Sequence, residues 1–376
     1  MALPSSFAGF VGNRPTIDSL RAAIAVRRLP HSMIIAGPRG AGKYTLALLL
    51  TLALECEQQP RELAADGREL ASFCGICRNC TRIAESADLE TKVEEAVAAR
   101  EDMREVDKKE TRVLVQTHPD VLILPPDPPQ LLIKLGQVRT LINRSQRRPA
   151  ESRAKVFLIT TAAFMKEAAN SLLKVLEEPP DYAHIVILAE NLGELLPTIR
   201  SRCAIVRLGA LPADEIESLL ATQRPELTPK DRALLARLSE GAVGRAYAFN
   251  LPEYTAARLD ALTILRNADT SDHTALFKMT ETYRAGAEGQ VKTTALLRAL
   301  SSILEDILLL QGGAPDRVRN VDIRPELQGF ADSFDFAWLE SAVRGLDAVQ
   351  SGLRRNLLRN VSLDAFAAEL EGARTR

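Results

Sequence analysis

Two groups of residues have the types and spacing to do chemistry. Gly37-Pro38-Arg39-Gly40-Ala41-Gly42-Lys43 matches the first seven positions of the Walker A phosphate-binding pattern. In such a loop backbone N–H groups converge on phosphate oxygens, the following helix adds its dipole, and Lys43 is placed to reach the outer phosphates of ATP or ADP. The eighth position should be a Ser or Thr whose hydroxyl holds magnesium, and here it is Tyr44. A phenol carries its oxygen a ring's length from the backbone and cannot replace that ligand in place. Thr45 is the right type one residue late, on the wrong side of the helix turn. The second metal partner in these folds is an Asp at the end of a later apolar strand, usually followed by a Glu that polarises water. The run Val156-Phe157-Leu158-Ile159 ends instead in Thr160-Thr161. Phosphoryl transfer depends on metal-bridged charge neutralisation, so these losses predict a loop that does not hydrolyse ATP. Binding of ATP or ADP without hydrolysis and an empty, purely structural loop both stay open.

The second group is Cys74-Gly75-Ile76-Cys77-Arg78-Asn79-Cys80, three thiols at two-residue gaps, with Cys56 at the end of the preceding helix able to complete a tetrahedral set. Four cysteine ligands leave no position for water, which fits a closed structural zinc site and not a catalytic metal. A disulfide or plain core cysteines are the alternatives. An iron–sulfur site could use the same thiols, but no Pro follows the last of them and no second cluster is present. Cys203, beside Arg202, is too distant in sequence to be a candidate ligand.

The elements that must position these groups are legible as apolar runs. Residues 15–28 have an amphipathic helical pattern, Ser32 to Ala36 is a buried strand breaking into the glycine loop, and Thr45 to Glu55 is an apolar helix. Further strands are expected at 121–124, 156–159, 185–189 and 204–208, with helices at 136–146 and 166–178 between them. That alternation predicts an α/β domain with a doubly wound parallel sheet, ending near Gly209. From Pro212 onward strand signals vanish, and two helical domains are expected, at about 210–265 and 266–376. The mostly charged stretch 87–112 reads as a solvated helix or mobile insertion.

The 376 residues exceed what one hydrophobic core usually serves. Forty-eight basic against forty-nine acidic residues give a net charge of −1, so no global positive field gathers nucleic acid and any DNA contact must be local. There is no leader pattern and no apolar run of membrane-spanning length, so a cytosolic protein with no membrane partner is expected.

In order along the chain, these pieces resemble the AAA+ subunits of bacterial replicative clamp loaders. The resemblance is carried by Phe7 and Val11-Gly12-Asn13, Leu29-Pro30-His31-Ser32, the cysteines after the P-loop helix, and His118-Pro119-Asp120. It continues through Ala168-Ala169-Asn170-Ser171-Leu172-Leu173-Lys174-Val175-Leu176-Glu177-Glu178-Pro179-Pro180, Thr198-Ile199-Arg200-Ser201-Arg202-Cys203 and the tail 353–361. The resemblance implies a RecA-like AAA+ domain at 1–209 with an inserted zinc module near 56–80, a small helical lid and an all-α collar. Within the family the gamma/tau motor subunits keep an acidic pair where Thr160-Thr161 stands, so the chain is more similar to a subunit that does not hydrolyse ATP. The partners implied are gamma/tau and delta subunits, and through them the sliding clamp and primer-template DNA. In this family the Ser-Arg-Cys arginine acts on the ATP of the neighbouring subunit, which makes Arg202, flanked by Ser201 and Cys203, the residue expected to do chemistry in trans. A lid arginine that senses nucleotide falls on Gly244 and not on Arg245.

Other residues have blander readings. His31 and His118 lack carboxylate or histidine partners at triad or ligand spacing, and Trp338 beside Phe334 and Phe336 reads as core. Arg139, Arg144, Arg147, Arg148 and Arg153 read as a solvated basic face. Two rival functions remain: an active gamma/tau-like ATPase in which Thr45 and another carboxylate rebuild the metal site, and an AAA+-like adaptor outside replication.

Overall fold

A computed structural model describes residues 3–104, 112–270, 273–284, 286–354 and 357–374. The chain divides into two compact units, residues 1–211 with 242–245, and residues 212–241 with 246–376.

In the first unit the apolar runs become a six-stranded sheet. Its strands are β1 (Ser32–Ala36), β4 (Val115–His118), β5 (Val121–Leu124), β6 (Lys155–Ile159), β7 (Ala183–Ala189) and β8 (Ala204–Arg207), in the order β4-β5-β6-β7-β1-β8. All neighbouring pairs are parallel except β4 with β5. A strand's side chains alternate between faces, and the sheet is covered on both. Met33, Ile35, Ile123, Leu158 and Val186 pack under α1 (Arg14–Ala25), α2 (Lys43–Glu55) and α3 (Arg78–Ala84). Ile34, Ala36, Leu124, Phe157 and Ile187 pack under α5 (Leu135–Ser145), α6 (Lys166–Glu177) and α7 (Pro197–Arg200). This is the expected RecA-like, three-layer α/β architecture.

Two features lie outside the apolar-run reading. Val115-Gln116-Thr117-His118 alternates with polar residues, yet adds an antiparallel edge strand to β5. Between α2 and α3 a small antiparallel pair, β2 (Arg61–Leu63) with β3 (Glu69–Ala71), spans the cysteine module. The charged stretch is partly a helix, α4 (Leu89–Glu101), with no buried residue, as a solvated helix should be. Its Arg100 nevertheless reaches the fully buried carboxylate of Asp127 at 2.8 Å. Residues 105–111 of that stretch lie outside the described residues.

The second unit is helical: α8 (Ala213–Gln223), α9 (Pro229–Leu238), α10 (Val243–Ala248, from Ala246 on), α11 (Leu251–Thr270), α12 (His273–Thr280), α13 (Gly286–Gln311), α14 (Arg324–Ser333), α15 (Phe336–Arg354) and α16 (Arg359–Arg374). The expected division near 265 falls inside α11, and one continuous core runs from Leu234 to Leu370, with Ile264 and Leu265 in contact with the same cluster as Leu300 and Phe366. Trp338 belongs to that core, stacked on Phe334 and donating its indole N–H to Leu370 O. No helix among the described residues is long and apolar enough to cross a membrane.

Candidate functional site

The glycine loop joins β1 to α2 at the carboxyl end of the sheet, where α/β folds bind ligands. Gly40 has φ +84°, and a Cβ there would lie 2.6 Å from the backbone N of Arg245, so both conformation and space demand glycine. The close neighbour is the segment 242–245: Gly244 N–H donates to Gly40 O at 2.8 Å. The glycine expected in place of a lid arginine thus lies directly against the phosphate loop, backbone to backbone. Lys43 donates to Gly37 O at 2.7 Å and Pro38 O at 2.9 Å, within its own loop. Burial draws its ammonium below the usual lysine range, with Arg39 adding to the effect and Glu190 and Glu194 opposing it.

Tyr44 turns away from the loop. Its ring packs on the core beneath the sheet and its hydroxyl donates to Ser86 O at 2.6 Å, so the eighth Walker position ties α2 to the segment after α3. Burial holds the phenol well above the ordinary tyrosine range. At the end of β6, Thr160 N–H continues the sheet to Leu124 O at 3.1 Å, and Thr161 Oγ1 accepts from Ala163 N–H at 3.2 Å. Neither position supplies a carboxylate. The acidic groups acting on Lys43 are Glu190, just past β7, and Glu194. Sequence reasoning missed them because it sought a carboxylate after β6.

The four cysteines Cys56, Cys74, Cys77 and Cys80 come together, with their sulfur atoms all within 4.8 Å of one another. None of them is disulfide-bonded. Gly75, at φ +73°, allows the tight turn in which Cys77 N–H points at Cys74 Sγ (3.3 Å), and the N–H groups of Gln59 and Cys74 both point at Cys56 Sγ (3.3 Å). Burial pushes the Cys56 and Cys80 thiols up. Burial opposes ionisation of Cys74 too, but N–H groups from Ile76 and Cys77 outweigh it and draw that thiol down to about 7. Converging sulfurs that already accept N–H bonds form a donor set that suits a tetrahedral soft cation, and zinc fits. Cys203 is buried elsewhere, in the opposite face of the sheet.

The module is fastened to the sheet by polar groups. Asn79, adjacent to Cys80, donates to Glu55 O (2.9 Å), adjacent to Cys56. His118 is fully buried, and its Nδ1 accepts Asp120 N–H at 3.2 Å, so its Nε2 carries the proton and donates to Asn79 Oδ1 at 3.1 Å. Asp120 in turn accepts backbone N–H groups from Ala150, Glu151 and Ser152 at 2.7–3.0 Å. His118 is a satisfied structural histidine, as the blander reading held, and Asp120 adds a fastening that reading did not include. The basic stretch is largely exposed, with Arg139, Arg147, Arg148 and Arg153 in solvent.

Arg202 follows α7, on the turn before β8. Its Nε donates to Glu177 Oε1 at 2.6 Å, a second guanidinium nitrogen meets the same oxygen, and NH1 donates to Thr198 O at 2.9 Å and Ser201 Oγ at 3.3 Å. The side chain is 31% exposed, at the surface and not in the core. Glu177 closes α6, in the Leu-Glu-Glu-Pro-Pro run, and sequence reasoning gave it no role of its own.

A family model described as DNA polymerase III, delta subunit, matches residues 12–212, and a second, for the C-terminal part of that subunit, matches residues 252–363. The chain belongs to the DNA polymerase III delta subunit family. It is 29% identical to DNA polymerase III subunit tau of Escherichia coli over 245 residues, 64% of this chain and 32% of that protein. The chain thus spans about a third of the length of the tau-type relatives it matches. With DNA polymerase III subunit delta' of Bacillus subtilis it shares 27% identity over 297 residues, 79% of this chain and 77% of that protein. A solved gamma-subunit-related protein of Thermotoga maritima, 17% identical, aligns over 95% of this chain and 100% of its own with a TM-score of 0.37.

Proposed function

We propose that this family member is a clamp-loader subunit of the delta-prime kind, which does not hydrolyse ATP itself and supplies Arg202 to the ATP held by a neighbouring motor subunit. The observation that carries the reading is the fate of the magnesium positions. Tyr44 is committed to Ser86 O, and Thr160 and Thr161 stand where the acidic pair would be. Without those ligands the metal-bridged charge neutralisation that phosphoryl transfer needs has no protein support in this chain. Arg202, a permanent planar cation at the surface, has the chemistry to stabilise charge developing on a transferred phosphoryl group.

In this reading gamma/tau and delta subunits are the direct partners, and the sliding clamp and primer-template DNA are reached through the complex, in the cytoplasm. The helical unit beyond residue 211 supplies the lid and the collar for assembly, joined through one core and not divided at 265. Residues 37–45 hold ATP or ADP at rest or nothing at all, and when zinc is bound to Cys56, Cys74, Cys77 and Cys80 it supplies rigidity and no reaction step.

Glu190 and Glu194 favour one second reading, an active ATPase whose metal site they rebuild with Thr45. Steady-state ATP hydrolysis by the purified chain separates the two. The proposal expects no turnover that depends on Lys43, whereas turnover abolished by Lys43→Ala would establish the ATPase.

A further inference from the structure

The guanidinium of Arg202 has five N–H donors, and its contacts use all but one of them within its own chain. Nε and a second nitrogen meet Glu177 Oε1, while NH1 meets Thr198 O and Ser201 Oγ. Thr198, in α7, and Ser201, which caps it, lie within four residues of Arg202 in the same segment. Glu177 is different: it lies on another element, the end of α6, and it is the one anion in the set. A phosphoryl group on a neighbour would require the same guanidinium edge, since carboxylate and phosphate oxygens accept the same donors with the same fork geometry. A carboxylate left beside that phosphoryl group would repel it.

We propose that Glu177 is the resting partner of Arg202, an intramolecular anion that must give way to the charge developing on the neighbouring subunit's transferred phosphoryl group before the arginine can act. This rests on the reading of Arg202 as a residue acting in trans, and makes Glu177 a positioning residue that sets how readily the arginine is released. The exposures of the two side chains, 31% for Arg202 and 48% for Glu177, make the exchange feasible. Paired ions this accessible to water hold each other weakly, so the pair restrains the arginine without trapping it.

The test uses the full chain assembled with its own motor and delta subunits, and reads DNA-dependent ATP hydrolysis in single turnovers with primed DNA. Glu177→Gln keeps the size and a neutral acceptor while removing the charge, and Glu177→Ala removes both; co-purification of the complex verifies folding for each. Both variants are expected to raise the rate constant about two- to fivefold, the range an exposed ion pair can restrain. KM should stay unchanged, because the released arginine meets charge that develops in the transition state. The gain should shrink at high salt, which already weakens the pair in the unmodified chain, and vanish when Arg202→Ala is added. A purely structural pair would give no gain. If Arg202→Ala lowers the rate while neither Glu177 variant raises it, the resting-partner role is overturned and the trans role of Arg202 stands. If Arg202→Ala changes nothing, the trans role fails and the role of Glu177 falls with it.

Discussion

Acidification should destabilise the P-loop unit through His184. This residue sits in β7 with its ring stacked on His31, centroids 4.9 Å apart, and its Nδ1–H donates to Pro30 O at 3.2 Å. Burial, with the neighbouring His31 adding to it and the Pro30 carbonyl opposing, lowers its pKa from 6.5 to about 4. A depressed folded-state value means the unfolded chain takes up the proton first. The stabilisation is therefore complete above pH ~6.5 and is lost as pH falls through about 4. A difference of that size corresponds to about 3 kcal/mol. In a unit of this size that is a Tm change of about 6–12 °C. The assay is urea unfolding of the unmodified chain and of His184→Gln from pH 7 to pH 3.5. The glutamine amide can still donate to Pro30 O but does not titrate, so the difference between the two profiles isolates His184 from the carboxylates that titrate in both. The unmodified chain should lose about 3 kcal/mol more than the variant across that range. Parallel profiles would refute the reasoning.

Elemental analysis should find about one zinc per chain; Cys77→Ser should abolish it and lower the Tm, and a stable, metal-free protein would reject the site. Asp120→Ala strips the acceptor from three backbone N–H groups beside a buried position. It should cost about 3–5 kcal/mol in urea unfolding, and a loss below ~1 kcal/mol would show that water takes over those donors.

The parallel strands β1, β5, β6 and β7 were legible because each is buried on both faces and therefore reads as a continuous apolar run, as in Ile34-Ile35 or Phe157-Leu158, whereas β8, at the edge of the sheet, has Ile205 and Arg207 exposed. The edge strand β4 escaped because only Val115 and His118 point inward while Gln116 is exposed. The four cysteines were legible because metal ligation imposes its own spacing, and that spacing survives without knowledge of the fold. Tyr44 could be read as a missing ligand, but its hydrogen bond to Ser86 could not, since the partner lies 42 residues on. The same applies to Glu177 and Arg202, 25 residues apart and brought together only when α6 and α7 pack on one face of the sheet. The soft boundary within the helical half has a physical origin too: turn residues mark where a helix ends but not which core its apolar face joins, and α11 runs through 265 into the same core.

The most direct test of the account replaces Arg202 with Ala in the chain and measures DNA-dependent ATP hydrolysis by the complex reconstituted with its motor and delta subunits. The account predicts an intact complex whose neighbouring ATP site loses about 10³-fold or more of its turnover, leaving only the hydrolysis contributed by motor sites that do not face this chain. Unchanged turnover at every site would contradict it.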